Sequence, residues 1–168
     1  MLESGAMTLD RIDIALLAAL CSNARASHVE LAERVGLSST AVARRQKQLE
    51  EQGIITGYQT ALGLRKLGFT TTVSVRITLD SQSEAALDAF EKAVKRCTSV
   101  VHCLLMSGSD DYLLTVLARD IEDFERIHKT QLSMLPRVAR IQSSFALREV
   151  VDRGAPPAVI ERLRKEER

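Results

Sequence analysis

A helix predicted over residues 39–52 carries the side chains that are best suited by type and spacing to bind another molecule. Its apolar residues recur on one side, and the opposite side consists of small, hydroxyl and basic residues: Ser39, Thr40, Ala43, Arg44 and Lys47, with Arg45 at the boundary. Short hydroxyl side chains and arginine reach base edges when such a helix enters the major groove of DNA. Ser27 and Ser38, each preceding a predicted helix, could offer helix N-termini to phosphate oxygens. The pattern indicates binding to double-stranded DNA.

The charge balance gives no separate argument for DNA. The chain of 168 residues has a formal net charge of +1, and residues 1–60 contain six Lys or Arg against seven Asp or Glu. A basic cluster on one helix face is often only a solvated face. We therefore expect a single copy to bind DNA weakly, so that paired copies are needed for useful affinity.

The turn at residues 107–111 is a second candidate binding segment, with the sequence Ser-Gly-Ser-Asp-Asp. A site for a free amino acid requires donors for the α-carboxylate and an acceptor for the ammonium group. Backbone amides and carboxylates in this turn could supply both, and Gly108 permits positive φ or the close approach of a ligand. The same residues also build ordinary β-turns, and taken alone they favour that simpler interpretation.

Catalytic and metal-binding residues are not grouped in the sequence. The three cysteines form no Cys-x-x-Cys pair, and the three histidines fall on different predicted elements. Only His102 and Cys103 are adjacent, and neighbours on a strand point to opposite faces, so that they chelate a metal poorly. The sequence also lacks a Gly-rich phosphate loop, a nucleophile elbow and a His-Glu-x-x-His motif. We expect no enzyme activity, no catalytic residue, no metal and no cofactor.

Helix start and stop signals divide the first sixty residues into three helices. Asp10 is a candidate N-cap for the first helix, and Ser27 with Glu30 fits a capping box that opens the second. Gly36 ends the second helix, and Gly53 ends the third at a position where a left-handed residue is favourable. Residues 54–58 predict a short strand and turn, which would form a small wing. This order is typical of a helix-turn-helix.

From residue 69 onward the hydrophobic period alternates between strand and helix. Strands are predicted over 69–79, 100–106, 112–118 and 138–150, and helices over 83–96 and from Asp120 to about Met134. In the helix that begins at Asp120, Ile121 is expected near the buried side. The order β-α-β-β-α-β is the ferredoxin-like pattern. The sequence therefore predicts an α+β chain: a winged helix-turn-helix over 9–60, a hinge over 61–68, a ferredoxin-like domain over 69–151 and a C-terminal tail over 152–168 that forms a loosely held or frayed helix.

The strand at 100–106 is expected at an edge of the sheet with both faces largely apolar. An exposed apolar edge promotes aggregation unless another surface covers it. A symmetric second copy is the simplest cover, because a twofold interface needs only one self-complementary patch. We therefore expect a homodimer or a larger assembly.

Two other expectations concern RNA and the cell compartment. RNA-recognition domains of this topology stack bases on exposed aromatics of the central strands, whereas here Tyr112 is the single aromatic in the 112–118 strand. This argues against RNA binding.

No apolar run approaches 18 residues and no secretory signal is visible, so we expect no membrane contact and a cytoplasmic location.

Ordered motifs along residues 9–151 resemble the Lrp/AsnC family of bacterial and archaeal transcriptional regulators. They include Leu9-Asp10-x-x-Asp13, Glu30-Leu31-Ala32, Val35-Gly36-Leu37-Ser38, Gly57-Tyr58 and Gly108-x-x-Asp111-Tyr112. The resemblance implies dimers that commonly assemble into octamers and that regulate genes of amino-acid metabolism. It also implies an amino-acid effector bound at a subunit interface by Met106, Gly108, Asp110, Asp111 and Tyr112, with Gln142, Ser143 and Ser144 from a neighbouring subunit.

Two residues depart from the family pattern. Gln46 lies on the inward side of the third helix, where the family usually has an apolar residue, and it either loosens the packing or makes a buried hydrogen bond. Arg44 adds a positive charge at a variable outward position, so operator preference does not transfer from relatives. Residues 1–6 precede the resemblance.

Overall fold

The computed structural model describes residues 9–154 and 156–166. Residues 1–6 therefore lie outside the described residues. The chain forms two compact units: one comprises the chain up to Ala61 together with the segment from Val151 onward, and the other comprises Leu62–Val150. We refer to them as the helix-turn-helix unit and the sheet unit.

Three capped helices begin the helix-turn-helix unit: α1 (Arg11–Ser22), α2 (His28–Val35) and α3 (Ser39–Glu51). Asp10 and Ser27 both form capping boxes, and the Ser38 hydroxyl accepts a hydrogen bond from the amide of Ala41. Each such cap stabilises a helix by about 1 kcal/mol because it satisfies amides that lack a partner within the helix. Gly36 has φ 72°, in the left-handed region, and it ends α2. The predicted starts and ends of the second and third helices are confirmed to within a residue.

Leucines and valines from all three helices form the core of this unit. Leu16, Leu31 and Val42 are completely buried, and Leu49 is nearly so. The strand predicted at 54–58 is wrong, because this segment is irregular in the structure. The amides of Ile54 and Ile55 both donate to the carbonyl of Leu49, so the chain closes the end of α3 instead of pairing with a strand.

A sixth helix, α6 (Pro157–Glu166), belongs to the same unit and contacts α1. Ile160 packs against the core formed by α1–α3, and Leu163, one turn further along, is also half-buried. The tail therefore contains a helix, as predicted, but this helix is regular and contacts α1 instead of being loosely held or frayed. Ile160 provides the contact with the core, and Leu163 lies on the same side of α6 at an (i, i+3) spacing.

The sheet unit begins with a 3-10 turn at Leu64–Leu67 and then follows the predicted β-α-β-β-α-β order. The elements are β1 (Thr71–Leu79), α4 (Glu84–Val94), β2 (Val100–Leu105), β3 (Tyr112–Ala118), α5 (Ile121–Thr130) and β4 (Val138–Phe145). The four strands are antiparallel in the order β2-β3-β1-β4. The predicted ferredoxin-like fold and the edge position of β2 are confirmed.

One face of this sheet carries the core of the unit. Val73, Val75 and Ile77 of β1 are fully buried and pack with Phe90 of α4 and Ile127 of α5. The alternation of β1 predicts this, since its odd-numbered residues are apolar and its even-numbered ones polar. Helices α4 and α5 therefore cover this face.

Two predicted elements end four or more residues before their predicted boundaries. Helix α5 ends at Thr130 and is followed by a 3-10 turn at Leu132–Met134, and Ile121 is 68% exposed rather than near the buried side. Ile121 is the first residue after the Asp120 cap, where the helix has not yet come against the sheet. Strand β4 ends at Phe145, although the Ala146 amide still donates to the Thr72 carbonyl of β1, and Leu147 is 97% exposed.

The opposite face of the sheet, here called the open face, is lined by the polar residues of β1 and their neighbours in register. Ser74 pairs with Ser144, Arg76 with Gln142, and Thr78 with Arg140. At the edge strand, Leu104 is 55% exposed. In the residues that the structure describes for this unit, both long helices lie on the other face, so the open face is left to solvent or to a partner.

Candidate DNA-binding and effector sites

The outer side of α3 presents the residues that the sequence analysis selected for DNA. Ser39, Thr40, Arg44 and Lys47 are exposed, and Ala43 is half-buried between them. The structure therefore brings these five residues together on one surface, here called the DNA-contact face. Lys47 makes only an exposed ion pair with Glu51, at 3.6 Å one turn along the helix. Such pairs contribute little, so the ammonium group remains available to a phosphate.

Arg45 differs from its neighbours because its guanidinium is already paired. Its Nη1 lies 2.6 Å from Asp10 Oδ2 and 2.8 Å from Asp13 Oδ1, and its side chain is only 24% exposed. Burial alone would raise the pKa of Asp10, but hydrogen bonds from the Asp13 amide and from Arg45 outweigh it and lower that pKa. Arg45 thus connects α3 to the start of α1, and its role as a DNA contact stays a prediction.

The two serines proposed for phosphate contact are both helix caps. Ser27 Oγ donates to Glu30 Oε2 at 2.9 Å and accepts from the Glu30 amide at 3.2 Å, and Ser38 Oγ accepts from the Ala41 amide at 3.2 Å. Both residues are exposed. Their hydroxyls therefore orient the helix N-termini, where the remaining amides and the positive end of the helix dipole favour an anion.

Gln46 is hydrogen-bonded through its amide nitrogen, whereas its Oε1 is buried and has no hydrogen-bond partner among the residues that the structure describes. Its Nε2 donates to Tyr58 Oη at 2.7 Å, and the Tyr58 hydroxyl donates to Glu50 Oε1 at 2.7 Å. Burial, together with the hydrogen bond to Glu50, raises the pKa of Tyr58, so the phenol keeps its proton at neutral pH. The cluster fastens the segment after Gly53 to α3.

A cavity of about 500 Å³ lies in the sheet unit, beside the 107–111 turn and against the open face of the sheet. This volume is within the range of small-molecule sites. The cavity, here called the effector cavity, is lined by Ser74, Arg76, Met106, Ser107, Gly108, Ser109, Asp110, Tyr112, Leu113 and Ser144. Gly108 has φ 142°, a conformation that a side chain would strain, so the turn depends on this glycine.

Five of the eight residues predicted for the effector line this cavity: Met106, Gly108, Asp110, Tyr112 and Ser144. Three do not. Gln142 and Ser143 are exposed outside it, and Ser143 pairs with Val75, which puts it on the helix-covered face. The Tyr112 ring is buried, and its hydroxyl donates to Glu91 Oε1 at 2.9 Å; burial and this carboxylate raise the Tyr112 pKa.

Asp111 is the third predicted residue outside the cavity, and its carboxylate serves the fold. Oδ2 accepts from the Leu79 amide at 2.7 Å, and Oδ1 accepts from Gln82 Nε2 at 2.8 Å. The side chain is buried, with only 6% of the residue exposed. A buried carboxylate with both oxygens in use joins the turn to the end of β1 and is poorly placed to receive an ammonium group.

Asp110 instead faces the cavity and lies between two arginines. Its Oδ2 is 4.0 Å from Arg76 Nε, and its Oδ1 is 3.4 Å from both Arg140 Nη2 and Thr78 Oγ1. Its side chain is 18% exposed. All of these distances are long for charge-assisted hydrogen bonds, so the carboxylate is surrounded by cations but is not tightly bound by either of them.

Sequence reasoning missed Ser74, Arg76 and Leu113 as cavity residues. The polar alternation of β1 identifies Ser74 and Arg76 as belonging to the face opposite the core. Only the strand register brings them to the turn, because Arg76 pairs with Leu113 and Ile77 with Tyr112, next to the end of the turn. The missing information was therefore which strands are neighbours, and this is not a local property of the sequence.

Metal binding and membrane insertion receive no support from the described part of the chain. Residues 9–154 and 156–166 contain no group of three or more His, Cys, Asp or Glu side chains arranged to hold a metal ion. Nor does any helix within those ranges have the length and hydropathy to cross a bilayer.

Comparison with known proteins identifies both units. Residues 9–56 match the winged helix-turn-helix DNA-binding family, and residues 72–156 match the Lrp/AsnC ligand binding domain. The chain belongs to the Lrp/AsnC family. It is a DNA-binding transcriptional regulator that carries a ligand-binding domain, as the helix-turn-helix and the effector cavity indicate, and its family is one of regulators rather than enzymes.

Relatives of known name are similar over nearly their full length. A proline dehydrogenase transcriptional activator of Rhodobacter capsulatus is 39% identical over 148 residues, which is 88% of this chain and 96% of that protein. A Bkd operon transcriptional regulator of Pseudomonas aeruginosa is 38% identical over 149 residues, which is 89% of this chain and 97% of that protein. Among solved structures, a transcriptional regulator–L-Met complex from Neisseria meningitidis superposes with a TM-score of 0.84 at 33% identity. The superposition covers 89% of this chain and 97% of that one. This Lrp/AsnC protein therefore shares the architecture of regulators from several bacteria.

Proposed function

We propose that this chain is a sequence-specific regulator whose affinity for DNA responds to a free amino acid bound in the effector cavity. The observation that carries the proposal is the cavity itself, which opens beside the 107–111 turn within the residues that match the ligand binding domain. Its volume of about 500 Å³ exceeds the needs of a single amino acid while remaining in the range of small-molecule sites. The similar structure solved with L-Met supports this class of ligand.

The DNA-contact face of α3 is proposed to enter the major groove. Ser39, Thr40 and Ala43 have short side chains at the N-terminal half of the helix, where base edges come within reach. Arg44 and Lys47 add positive charge for phosphates or guanine. Ser27 and Ser38 would aim helix N-termini at the backbone. In this proposal Arg45 positions α3 through Asp10 and Asp13 and does not itself approach a base.

A homo-oligomer is proposed as the working form. Leu104, Leu105 and Met106 at the edge of the sheet are between 42% and 59% exposed, and the open face carries Ser74 and Arg76 without a covering helix. A second copy would bury this apolar edge, and a twofold dimer would hold two copies of α3 at a fixed spacing for two half-sites. Octamers built from such dimers are the larger assembly that we propose. Because its partner is the chromosome, we propose a cytoplasmic location.

DNA binding is tested in two steps. The full chain first selects duplexes from a pool of random sequences, and its affinity for the most enriched duplex is then measured by titration. We expect Arg44→Ala and Lys47→Ala each to weaken binding several-fold and to reduce the slope of log affinity against log salt by about 1 where a phosphate contact is lost. Arg96→Ala, an exposed arginine in the sheet unit, is the matched control and should change neither quantity. Unchanged affinity and slope in both α3 variants would reject the proposed face.

A further inference from the structure

Three polar side chains join α3 to the segment that follows it. Gln46 Nε2 donates to Tyr58 Oη at 2.7 Å and to Glu50 Oε1 at 3.3 Å. The Tyr58 hydroxyl in turn donates to the same carboxylate oxygen at 2.7 Å. We call this closed set of hydrogen bonds the Tyr58 latch. All three residues belong to the helix-turn-helix unit, so the latch involves neither the sheet nor its open face.

The latch is attached to the part of α3 that carries the DNA-contact face. Gln46 lies between Ala43 and Lys47 of that face, and Glu50 lies one turn after Gln46. Because α3 is one continuous hydrogen-bonded helix, a force that acts on Gln46 also acts on the side chains of the DNA-contact face. The position of Tyr58 and the orientation of α3 are therefore linked.

Tyr58 is also the last attachment of the chain before it enters the sheet unit at Leu62. Among the residues that the structure describes, the Tyr58 hydroxyl makes the hydrogen bonds of the segment 56–61. The chain passes between the two units a second time at Val150–Val151, but that passage leads to α6, which contacts α1. The passage after Tyr58 is thus the one that is fastened to α3.

The latch has a small net free energy. Tyr58 is 47% exposed, so the packing of its ring contributes little. Gln46 Oε1 is buried without a partner among the described residues, and this costs free energy comparable to the gain from a neutral hydrogen bond. An arrangement in which Tyr58 has left α3 and the Gln46 amide reaches water is therefore close in free energy. A ligand that favours one of two such arrangements shifts the equilibrium between them.

We propose that the Tyr58 latch is the place where ligand binding in the sheet unit acts on α3, and that Gln46 is its positioning residue. The ligand-free and ligand-bound proteins differ in the fraction of chains in which Gln46 and Glu50 hold Tyr58. Gln46 itself contacts neither DNA nor ligand and acts through Tyr58. The inference rests on the proposed function and names how the ligand regulates the DNA-contact face.

Two variants that open the latch test this role. Gln46→Leu removes the amide, and Tyr58→Phe removes only the hydroxyl. The response is the factor by which an amino acid changes the dissociation constant for the selected duplex, and the probes are the twenty amino acids, L-methionine first. We expect each variant to reduce the response by about threefold or more, and the double variant to reduce it no further, since both residues act through one contact.

Gln52→Leu is the matched control, because it makes the same change at an exposed position at the end of α3. Its response should equal that of the wild type. A reduced response in Gln52→Leu as well as in Gln46→Leu would indicate general damage to α3 and overturn the role of the latch.

Nuclear magnetic resonance can observe the latch directly, because the chain contains two tyrosines. Carbon-13 labelling at tyrosine Cζ gives two signals, and the Tyr58→Phe variant identifies the one from Tyr58. We expect the amino acid that changes DNA affinity to move this signal in the wild type and to move it much less in Gln46→Leu. A Tyr58 signal that stays in place while DNA affinity changes would overturn the inference, because a residue that serves only folding does not respond to the ligand.

Two failures can be told apart. If the wild type responds and both variants respond equally, the latch is not the route and the proposed function stands. If no amino acid changes the DNA affinity of the wild type, this inference and the amino-acid part of the proposed function fall together, and the DNA titration at varied salt decides the rest. Should Gln46→Leu fail to fold, Tyr58→Phe decides alone, because it deletes a single oxygen atom.

Discussion

Arg45 and Arg44 are neighbours in sequence, yet their surroundings assign them different tasks. Arg44 is exposed on the DNA-contact face, whereas Arg45 reaches back to two carboxylates at the start of α1. Helical periodicity puts Arg45 at the edge of the outer face but carries no information about a partner 35 residues earlier. A residue at such a boundary can be placed by the sequence, but its contacts depend on how the helices pack.

Replacing Arg45 should therefore affect stability more than DNA contact. We expect Arg45→Met to lower the free energy of unfolding by about 1 kcal/mol, because it leaves two partly buried carboxylates close together without a cation. Arg44→Met is the matched control and should stay within about 0.5 kcal/mol of the wild type. Urea denaturation measures both. An Arg45→Met variant with full stability but no DNA binding would instead identify Arg45 as a direct contact.

The same ion pair gives an expected dependence on pH. The pKa of Asp10 is lowered in the folded state from its usual value of 3.8, so its contribution to stability is present above that value and is lost as the pH falls through the lower, folded-state pKa. The difference in unfolding free energy between the wild type and Arg45→Met should accordingly shrink below pH 3.8. A difference that stays constant down to pH 2 would contradict the pairing.

Asp110 and Asp111 are a second adjacent pair with separate roles. We expect Asp111→Ala to destabilise the chain by about 1–3 kcal/mol, because the buried amide of Leu79 loses its acceptor. Asp110→Ala should leave stability within about 0.5 kcal/mol and weaken the amino-acid effector instead. Thermal unfolding and calorimetry on the two variants separate these effects. The reverse outcome, with Asp111 essential for the ligand and dispensable for folding, would restore the role predicted from the sequence.

At the scale of elements, the sequence predicts best those features whose physical cause is local. The Asp10 cap, the Ser27–Glu30 capping box, the left-handed glycine after α2 and the strict alternation of β1 act within a few residues, and each is present as predicted. The wrong predictions concern segments whose structure depends on contacts with other elements of the fold. Residues 54–58 have strand-forming composition, but the amides of Ile54 and Ile55 donate to a carbonyl of α3, and β4 stops at Phe145, opposite Val73 near the start of β1.

Helix α6 is the element with the clearest independent test. It lies outside both matched family segments, 9–56 and 72–156, yet Ile160 packs against the helix-turn-helix core. We expect Ile160→Ser to lower the free energy of unfolding by about 1 kcal/mol, since the side chain is only half-buried. Val159→Ser, next to it and 45% exposed, is the control and should cost less. Hydrogen exchange on α1 should rise in the Ile160 variant alone; equal exchange in both variants would show that α6 does not support this unit.

At the scale of the whole molecule, the open face and edge of the sheet predict self-association. Leu104→Lys puts a charge on an edge residue that is 55% exposed in one copy, so it should not harm the fold of a single chain. We expect the wild type to sediment as a dimer or a larger assembly and this variant to shift toward smaller species. Lys95→Leu, an exposed change on the helical side, is the control. A monomeric wild type would contradict the proposed assembly.

The two binding functions are connected by a thermodynamic requirement. If an amino acid changes the affinity for DNA by some factor, DNA must change the affinity for that amino acid by the same factor. The helix-turn-helix unit and the sheet unit each hold one of the two sites, so coupling between them is the property that makes the chain a ligand-responsive regulator.

The most direct measurement is the affinity of the full chain for its selected duplex, by fluorescence anisotropy, with and without the amino acid that binds best. We predict a change in DNA affinity of between about 5-fold and 150-fold, and an equal change in amino-acid affinity when saturating duplex is added. Asp110→Ala should keep the basal DNA affinity and weaken the response at the same amino-acid concentration. If DNA and amino acid both bind and neither alters the other, the chain is not the ligand-responsive regulator described here.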